Sequence, residues 1–194
     1  FDFIDLTLEP LFSSDLDSSK VERILKDTNL EVIGHTSPFI PAIFPLDSIK
    51  EASLNEFKKY IDFFSDLNVK LMNIHPFSGL PLQDKEEVIE LNREFISNIE
   101  KYCRKKNIRL MLETGNPPFN RPDEFMKLLE GNENVMVHLD VGHCNLSDSG
   151  NLTEDFFEIF DNRIKHIHFS DNKGDKDEHL PLYCGNIDWK NIVS

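Results

Sequence analysis

The sequence is short of cysteine. Cys103, Cys144 and Cys184 are three in 194 residues, an odd number with no Cys-x-x-Cys pair, which excludes a disulfide framework and a thiolate zinc knuckle. Cys103 reads as a buried helix residue, whereas Cys144 and Cys184 fall beside the candidate site residues. Basic charge is scarce as well: 21 Lys and Arg stand against 35 Asp and Glu, a formal net charge of -14. That balance disfavours non-specific attraction to nucleic acid or anionic membrane, which scales with the phosphates that cations neutralise. Bound divalent cations would invert the local field where carboxylates cluster. There is no apolar run of membrane-spanning length, and Phe1-Asp2-Phe3-Ile4-Asp5 carries no basic leader, so no membrane partner and a cytoplasmic location are expected. A Gly-x-Gly-x-x-Gly loop is missing after the first apolar segment, which removes the usual dinucleotide cradle.

What is present is ordinary soluble composition, 39% hydrophobic and 29% charged, with sixteen Phe residues providing much of the apolar volume. Length and composition fit a single domain over 1–194. Residues 3–8 alternate as a strand, and further apolar runs at 30–34, 70–74, 108–112, 135–139 and 164–169 predict five more. Between them lie helical patterns at 13–28, 48–65, 85–106 and 122–130, and another opened by Leu152-Thr153-Glu154. Alternating strands and helices, with mostly apolar strands, imply a parallel sheet covered by helices. Polar residues gather at the exit of nearly every strand rather than at one switch point, which favours a (β/α)8 TIM barrel over an open doubly wound sheet. Six strands do not close an eight-stranded barrel. The expectation is therefore an incomplete barrel lacking the first and last strands, a fragment of a longer domain.

The strand exits contribute in turn Glu9, His35, His75, Glu113, Asp140 with His143, and His168, and the loop that follows contributes Asp177-x-His179. In a barrel these rims share one mouth. The stretch Val135 to Asn145 is the clearest, a buried strand ending at Asp140, then a turn that Gly142 permits and that delivers His143. Glu113 ends the run Ile-Arg-Leu-Met-Leu, where a carboxylate is costly to bury without a metal or a cationic partner. His166 and His168 share one face of a period-two strand, with His168 nearer the mouth and His166 a layer below it. Singly, each residue has a plainer explanation: His35 and His75 as loop histidines packed near Pro38 and Pro76, Asp177-Glu178-His179 as a solvated charged loop. Their joint occurrence at successive exits argues for metal. Imidazole and carboxylate donors without thiolate suit zinc, manganese, iron or cobalt, and leave magnesium for a smaller subset. Eight such groups are too many for one ion and enough for two or three. Glu9 is a substrate contact or the partner of a basic residue.

The ordered set His35-Thr-Ser-Pro, Asn73-Ile-His75-Pro76, Leu112-Glu113-Thr114, Leu139-Asp140-Val-Gly-His143, Ile167-His168-Phe-Ser-Asp171 and Asp177-Glu-His179 resembles the xylose-isomerase-like barrel superfamily. That superfamily joins sugar isomerases and epimerases with the endonuclease IV class of DNA repair enzymes, also called AP endonuclease family 2. The endonuclease pattern, carried over, implies three zinc sites: His35, His75 and Glu113; Glu113, Asp140 and His168; His143, Asp177 and His179. The sugar epimerase pattern implies one ion, commonly manganese, on Glu113, Asp140, His168 and a glutamate of the last strand, with His143 on sugar hydroxyls. Glu113 and that last glutamate would be the acid/base pair. The final glutamate and a strand before Phe3 are departures, absent from these residues.

Two enzyme readings and one non-catalytic reading follow. Completeness of the three-metal pattern speaks for an endonuclease acting on abasic DNA. Against it stand the acidic composition and loops poor in wedges: the segment after Pro10 offers Phe12 alone, Phe77-Ser-Gly-Leu-Pro is short and neutral, and Arg121 and Lys173 are thin provision for phosphates. The expectation is a divalent-metal-dependent sugar or polyol isomerase/epimerase holding one to three Mn or Zn ions. Glu113 and His143 would be catalytic, Glu9, His166 and Lys173 would face a sugar or sugar phosphate, and the oligomeric state is left open. A barrel used only for interaction is the third alternative.

Overall fold

The computed structural model describes residues 1–10 and 17–193. Six strands, β1 (Phe3–Leu8), β2 (Glu31–Thr36), β3 (Leu71–Ile74), β4 (Arg109–Glu113), β5 (Met136–Asp140) and β6 (Ile164–His168), run parallel in sequence order. The main helices between them are α1 (Ser18–Thr28), α2 (Asp47–Asp66), α3 (Lys85–Lys105) and α4 (Pro122–Leu129); α5 (Val141–Cys144), α6 (Thr153–Phe160) and a 3-10 turn fill the last crossover. The sheet is an open, curled half-barrel. Its curvature is strong enough that Asp5 of β1 meets His166 of β6 at 3.1 Å across the concave side. The expected start of the first helix at Ser13, and Phe12, lie outside the described residues.

The period-two rule divides each strand between two environments. Met72, Ile74, Leu110, Leu112, Val137 and Leu139 are buried against the helices, where Phe57, Ile61 and Phe64 of α2, Phe95, Ile96 and Ile99 of α3, and Phe125, Phe156 and Phe160 of α4 and α6 complete one core. Phe57 and Phe95 meet edge to face at 5.0 Å and Phe125 and Phe156 at 5.6 Å, contacts that tie neighbouring helices together. Each fully buried Phe contributes about 1.5–3 kcal/mol. Of the alternate strand positions, those towards the strand exits, Asp5, His35, Asn73, Glu113, His138, Asp140, His166 and His168, are polar and meet one another on the concave face. Polar residues take the face the helices leave uncovered.

Asparagines end three helices. Asn29, Asn68 and Asn107 follow α1, α2 and α3 with φ of 53°, 59° and 59°, the left-handed geometry in which Asn is the best tolerated residue after Gly. Each turn aims the chain into the next strand. After Gly185 the chain forms the short helix α7 (Trp189–Ile192), and the buried Trp189 indole donates to Asp171 Oδ2 at 2.8 Å. Asp171 Oδ1 also accepts from the Asn172 amide at 2.9 Å. With the backbone bridge between Asp171 and Leu180, this anchors both ends of the loop that carries Asp177 and His179.

Candidate metal centre

Glu113, the last residue of β4, is 2% exposed and sits at the middle of the concave mouth. Its Oε2 lies 3.2 Å from His35 Nε2, 3.1 Å from His75 Nε2 and 3.1 Å from His138 Nδ1, and it accepts a hydrogen bond from the Asn73 amide. Its Oε1 faces the other way, 3.6 Å from His168 Nδ1 and 4.0 Å from His143 Nδ1. Burial opposes ionisation of this carboxyl, but the surrounding imidazoles outweigh burial, His138 and His75 foremost, and hold it well below the usual carboxylate range. An ionised oxygen pair thus joins two groups of nitrogen donors.

Four donor sets adjoin among the described residues. On one side are His35, His75 and Glu113. In the centre Asp140 and Glu113 group with His143, while His168, its Nδ1 3.8 Å from Asp140 Oδ2, groups with His138 and His166. Towards the rim, Asp177 Oδ2 lies 3.2 Å from His143 Nε2 and 3.1 Å from His179 Nε2. Asp140 is 1% exposed, and its buried Oδ2 has no hydrogen-bond partner. A buried carboxylate oxygen left so is costly, and a divalent cation would satisfy it. The donor chemistry of imidazole and carboxylate fits zinc or manganese.

Local structure fixes these groups. Thr7 Oγ1 meets His35 Nδ1 at 3.0 Å, which turns His35 Nε2 towards Glu113. The His143 ring is set by Nδ1 on the Thr114 carbonyl at 2.5 Å, and its backbone amide donates to Asp140 Oδ1 at 2.9 Å, capping α5. Burial lowers the His143 pKa, yet the bond to Asp177 and the charges of Asp140 and Glu113 prevail and raise it to about 9. For His168 the nearby carboxylates of Asp5 and Glu113 likewise overcome burial, raising it to about 10. His138 goes the other way, down to about 4, because burial exceeds the pull of Glu113. It is therefore neutral at pH 7.

Gly142 has a different task from the one read in the sequence. It lies within helical α5, and a Cβ there would come 2.2 Å from Ser170 Oγ and 3.1 Å from the Ser170 carbonyl. Close approach of α5 to the β6 exit, not an unusual backbone angle, demands glycine.

His35, His75, Glu113, Asp140, His143 and His168 converge as the strand exits suggested, and Asp177 with His179 closes one side. His166 lies one layer below His168 with Nε2 on Asp5. Glu9 is partly buried beyond the end of β1 and makes no ion pair or hydrogen bond among the described residues. Lys173 is turned outward, its Nζ 3.9 Å from Glu178. Cys144 is buried in α5, whereas Cys184 is exposed. Three contributors to the site, Asp5, Thr7 and His138, escaped the sequence reading, and Asn73 entered it only as part of the motif that ends in His75-Pro76. Period-two spacing held the signal for His138 and Asn73, which precede Asp140 and His75 by two residues as His166 precedes His168.

Solved structures share this architecture at low sequence identity. A D-tagatose 3-epimerase-like protein superimposes with a TM-score of 0.89 at 22% identity, covering 100% of this chain and 76% of its own. D-allulose 3-epimerase from Methylomonas gives 0.77 at 18%, covering 99% and 68%. A Thermus thermophilus protein soaked with zinc chloride gives 0.73 at 18%, covering 94% and 73%. Among curated sequences, an uncharacterised protein of Methanocaldococcus jannaschii is 26% identical over 152 residues, 75% of this chain. The chain spans 57% of that relative's length. The family model described as xylose isomerase-like TIM barrel matches residues 1–194. With the parallel half-barrel and its histidine and carboxylate mouth, that match establishes that the chain belongs to the xylose isomerase-like TIM barrel family.

Proposed function

We propose that these residues form the metal-holding face of a divalent-metal-dependent sugar or polyol isomerase or epimerase. One observation carries the reading: Glu113, Asp140 and His168, from three successive strand ends, surround a point at which Asp140 Oδ2 is buried without a hydrogen-bond partner. These three would hold the ion. Manganese or zinc bound there would polarise a substrate carbonyl and make the adjacent carbon more acidic. Glu113, kept ionised by its imidazoles, accepts the proton from that carbon. His143, fixed by Thr114 and Asp177, meets a substrate hydroxyl. The epimerases among the structural neighbours support sugar as the substrate class.

The test is elemental analysis of the full-length protein together with a keto-sugar epimerisation assay. One dominant divalent ion per chain is expected, with turnover reduced about 10²–10⁴-fold in Glu113→Gln. A specific observation favours a second reading, phosphodiester cleavage. The flanking sets His35, His75, Glu113 and His143, Asp177, His179 provide more donors than one ion uses. Three zinc ions per chain, with incision of duplex DNA at abasic sites and no sugar turnover, would replace the first reading by the second.

A further inference from the structure

The concave face holds a second tier of polar residues beneath the donors: Asp5 of β1, Asn73 of β3, His138 of β5 and His166 of β6. Asn73 and His138 both contact Glu113 Oε2. Asp5 stands apart from these two because it reaches its partners from the opposite edge of the sheet. Its Oδ2 lies 3.1 Å from His166 Nε2 and 3.5 Å from His168 Nε2.

An imidazole that ligates through one nitrogen presents the other to its surroundings, and a carboxylate on that second nitrogen fixes both tautomer and ring angle. His168 shows this division. Nδ1 faces Glu113 and Asp140, at 3.6 and 3.8 Å, while Nε2 faces Asp5. At 26% side-chain exposure the ring is the loosest of the three central donors, against 3% for Glu113 and 1% for Asp140. Among the described residues, no backbone carbonyl is bonded to His168 Nε2, so orientation depends on Asp5. His166 occupies the same carboxylate oxygen and packs 4.6 Å from the His138 ring and 5.1 Å from the His168 ring. Two imidazoles thus hold Asp5 in place.

We propose that Asp5 is a positioning residue for the metal centre: by accepting from the Nε2–H of His168 it keeps the proton on that nitrogen and commits His168 Nδ1 to the ion. Its contribution couples the site to the seating of β1 against the concave face opposite β6. This rests on the reading above that Glu113, Asp140 and His168 hold a divalent ion.

The experiment measures Mn²⁺ and Zn²⁺ affinity of the full-length protein by chelator competition, for wild type, Asp5→Asn, His168→Gln, the double variant and His166→Gln. Circular dichroism confirms that each is folded, and ¹⁵N-edited NMR of the His168 ring reports its tautomer in the zinc-loaded protein. Asp5→Asn should weaken binding about 10–100-fold and alter the His168 Nε2–H signal. His168→Gln should abolish most of the effect of Asp5→Asn in the double variant, and His166→Gln should weaken binding less than Asp5→Asn. A folded Asp5→Asn protein with wild-type affinity and an unchanged His168 tautomer would overturn the proposal while leaving the metal site standing. Full additivity in the double variant would also overturn it, since Asp5 would then act independently of His168. If His168→Gln itself leaves affinity unchanged, the assignment of the metal donors fails, and the role of Asp5 with it.

Discussion

Removing a proton from His143 and His168 is part of the cost of loading this site. With pKa values raised to about 9 and about 10, both rings are cationic at pH 7 in the metal-free protein and neutralise the carboxylates that an ion would otherwise bind. An ion on Glu113, Asp140 and His168 must displace the His168 proton, and a further ion on His143 would displace that one too, so apparent affinity should rise with pH through this range. Calorimetric titration with Zn²⁺ at pH 7.5, in two buffers of different ionisation enthalpy, should show release of about one to two protons per chain. Equal heats in the two buffers would contradict this. The same shifts set the stability of the metal-free form. A raised folded-state pKa contributes fully below the unfolded value of about 6.5 and is lost as pH climbs through the folded one. Metal-free protein should therefore lose stability between about pH 7 and 10, and loaded protein should not follow that decline.

At the level of elements, the short helix α5 shows how much of the site depends on close packing. It begins with the Asp140 side chain as its cap and carries His143 and buried Cys144. It can lie against the β6 exit only because position 142 has no side chain: an added Cβ would meet Ser170 Oγ at 2.2 Å and Asp140 Oδ1 at 3.0 Å. Gly142→Ala is expected to destabilise the fold by about 1–3 kcal/mol, and to weaken metal binding because Asp140 is among the displaced groups. Urea unfolding and chelator competition on one sample test both parts; unchanged midpoint and affinity would mean that α5 shifts freely. Such contacts explain what was legible in the sequence. Strand periods and polar exits are local, and they indicated six strands, the barrel class and the exit residues His35, His75, Glu113, Asp140 and His168 that meet at one mouth. Asp5 was not legible as a member of the site, because its partners His166 and His168 lie more than 160 residues away and only the curl of the sheet unites them. The bond from Trp189 to Asp171 was not legible either, because the loop between them separates the two by 18 positions. The task of Gly142 depends on a neighbour 28 positions on, and the turn rule applied to it addressed backbone angle alone.

Across the whole molecule, a net charge of -14 adds a general repulsion to the specific strain of carboxylates gathered at the mouth. Two effects of added cations then need separating. Screening by monovalent salt acts on exposed charges everywhere and grows gradually with ionic strength. A divalent ion held by Glu113, Asp140 and His168 acts at one place and follows mass action. At an excess of about 100 times Kd the bound ion should stabilise the fold by roughly 2.7 kcal/mol, which for a chain of this size corresponds to about 5–10 °C in melting temperature. Micromolar Mn²⁺ or Zn²⁺ added to chelator-treated protein in 150 mM NaCl should produce that rise, and excess chelator should reverse it. Asp140→Asn removes the orphaned oxygen without changing the shape of the side chain, so its melting temperature should barely respond to the metal while retaining the ordinary response to NaCl. If Asp140→Asn rises as far as wild type with the divalent ion, the stabilisation comes from the acidic surface and not from the mouth.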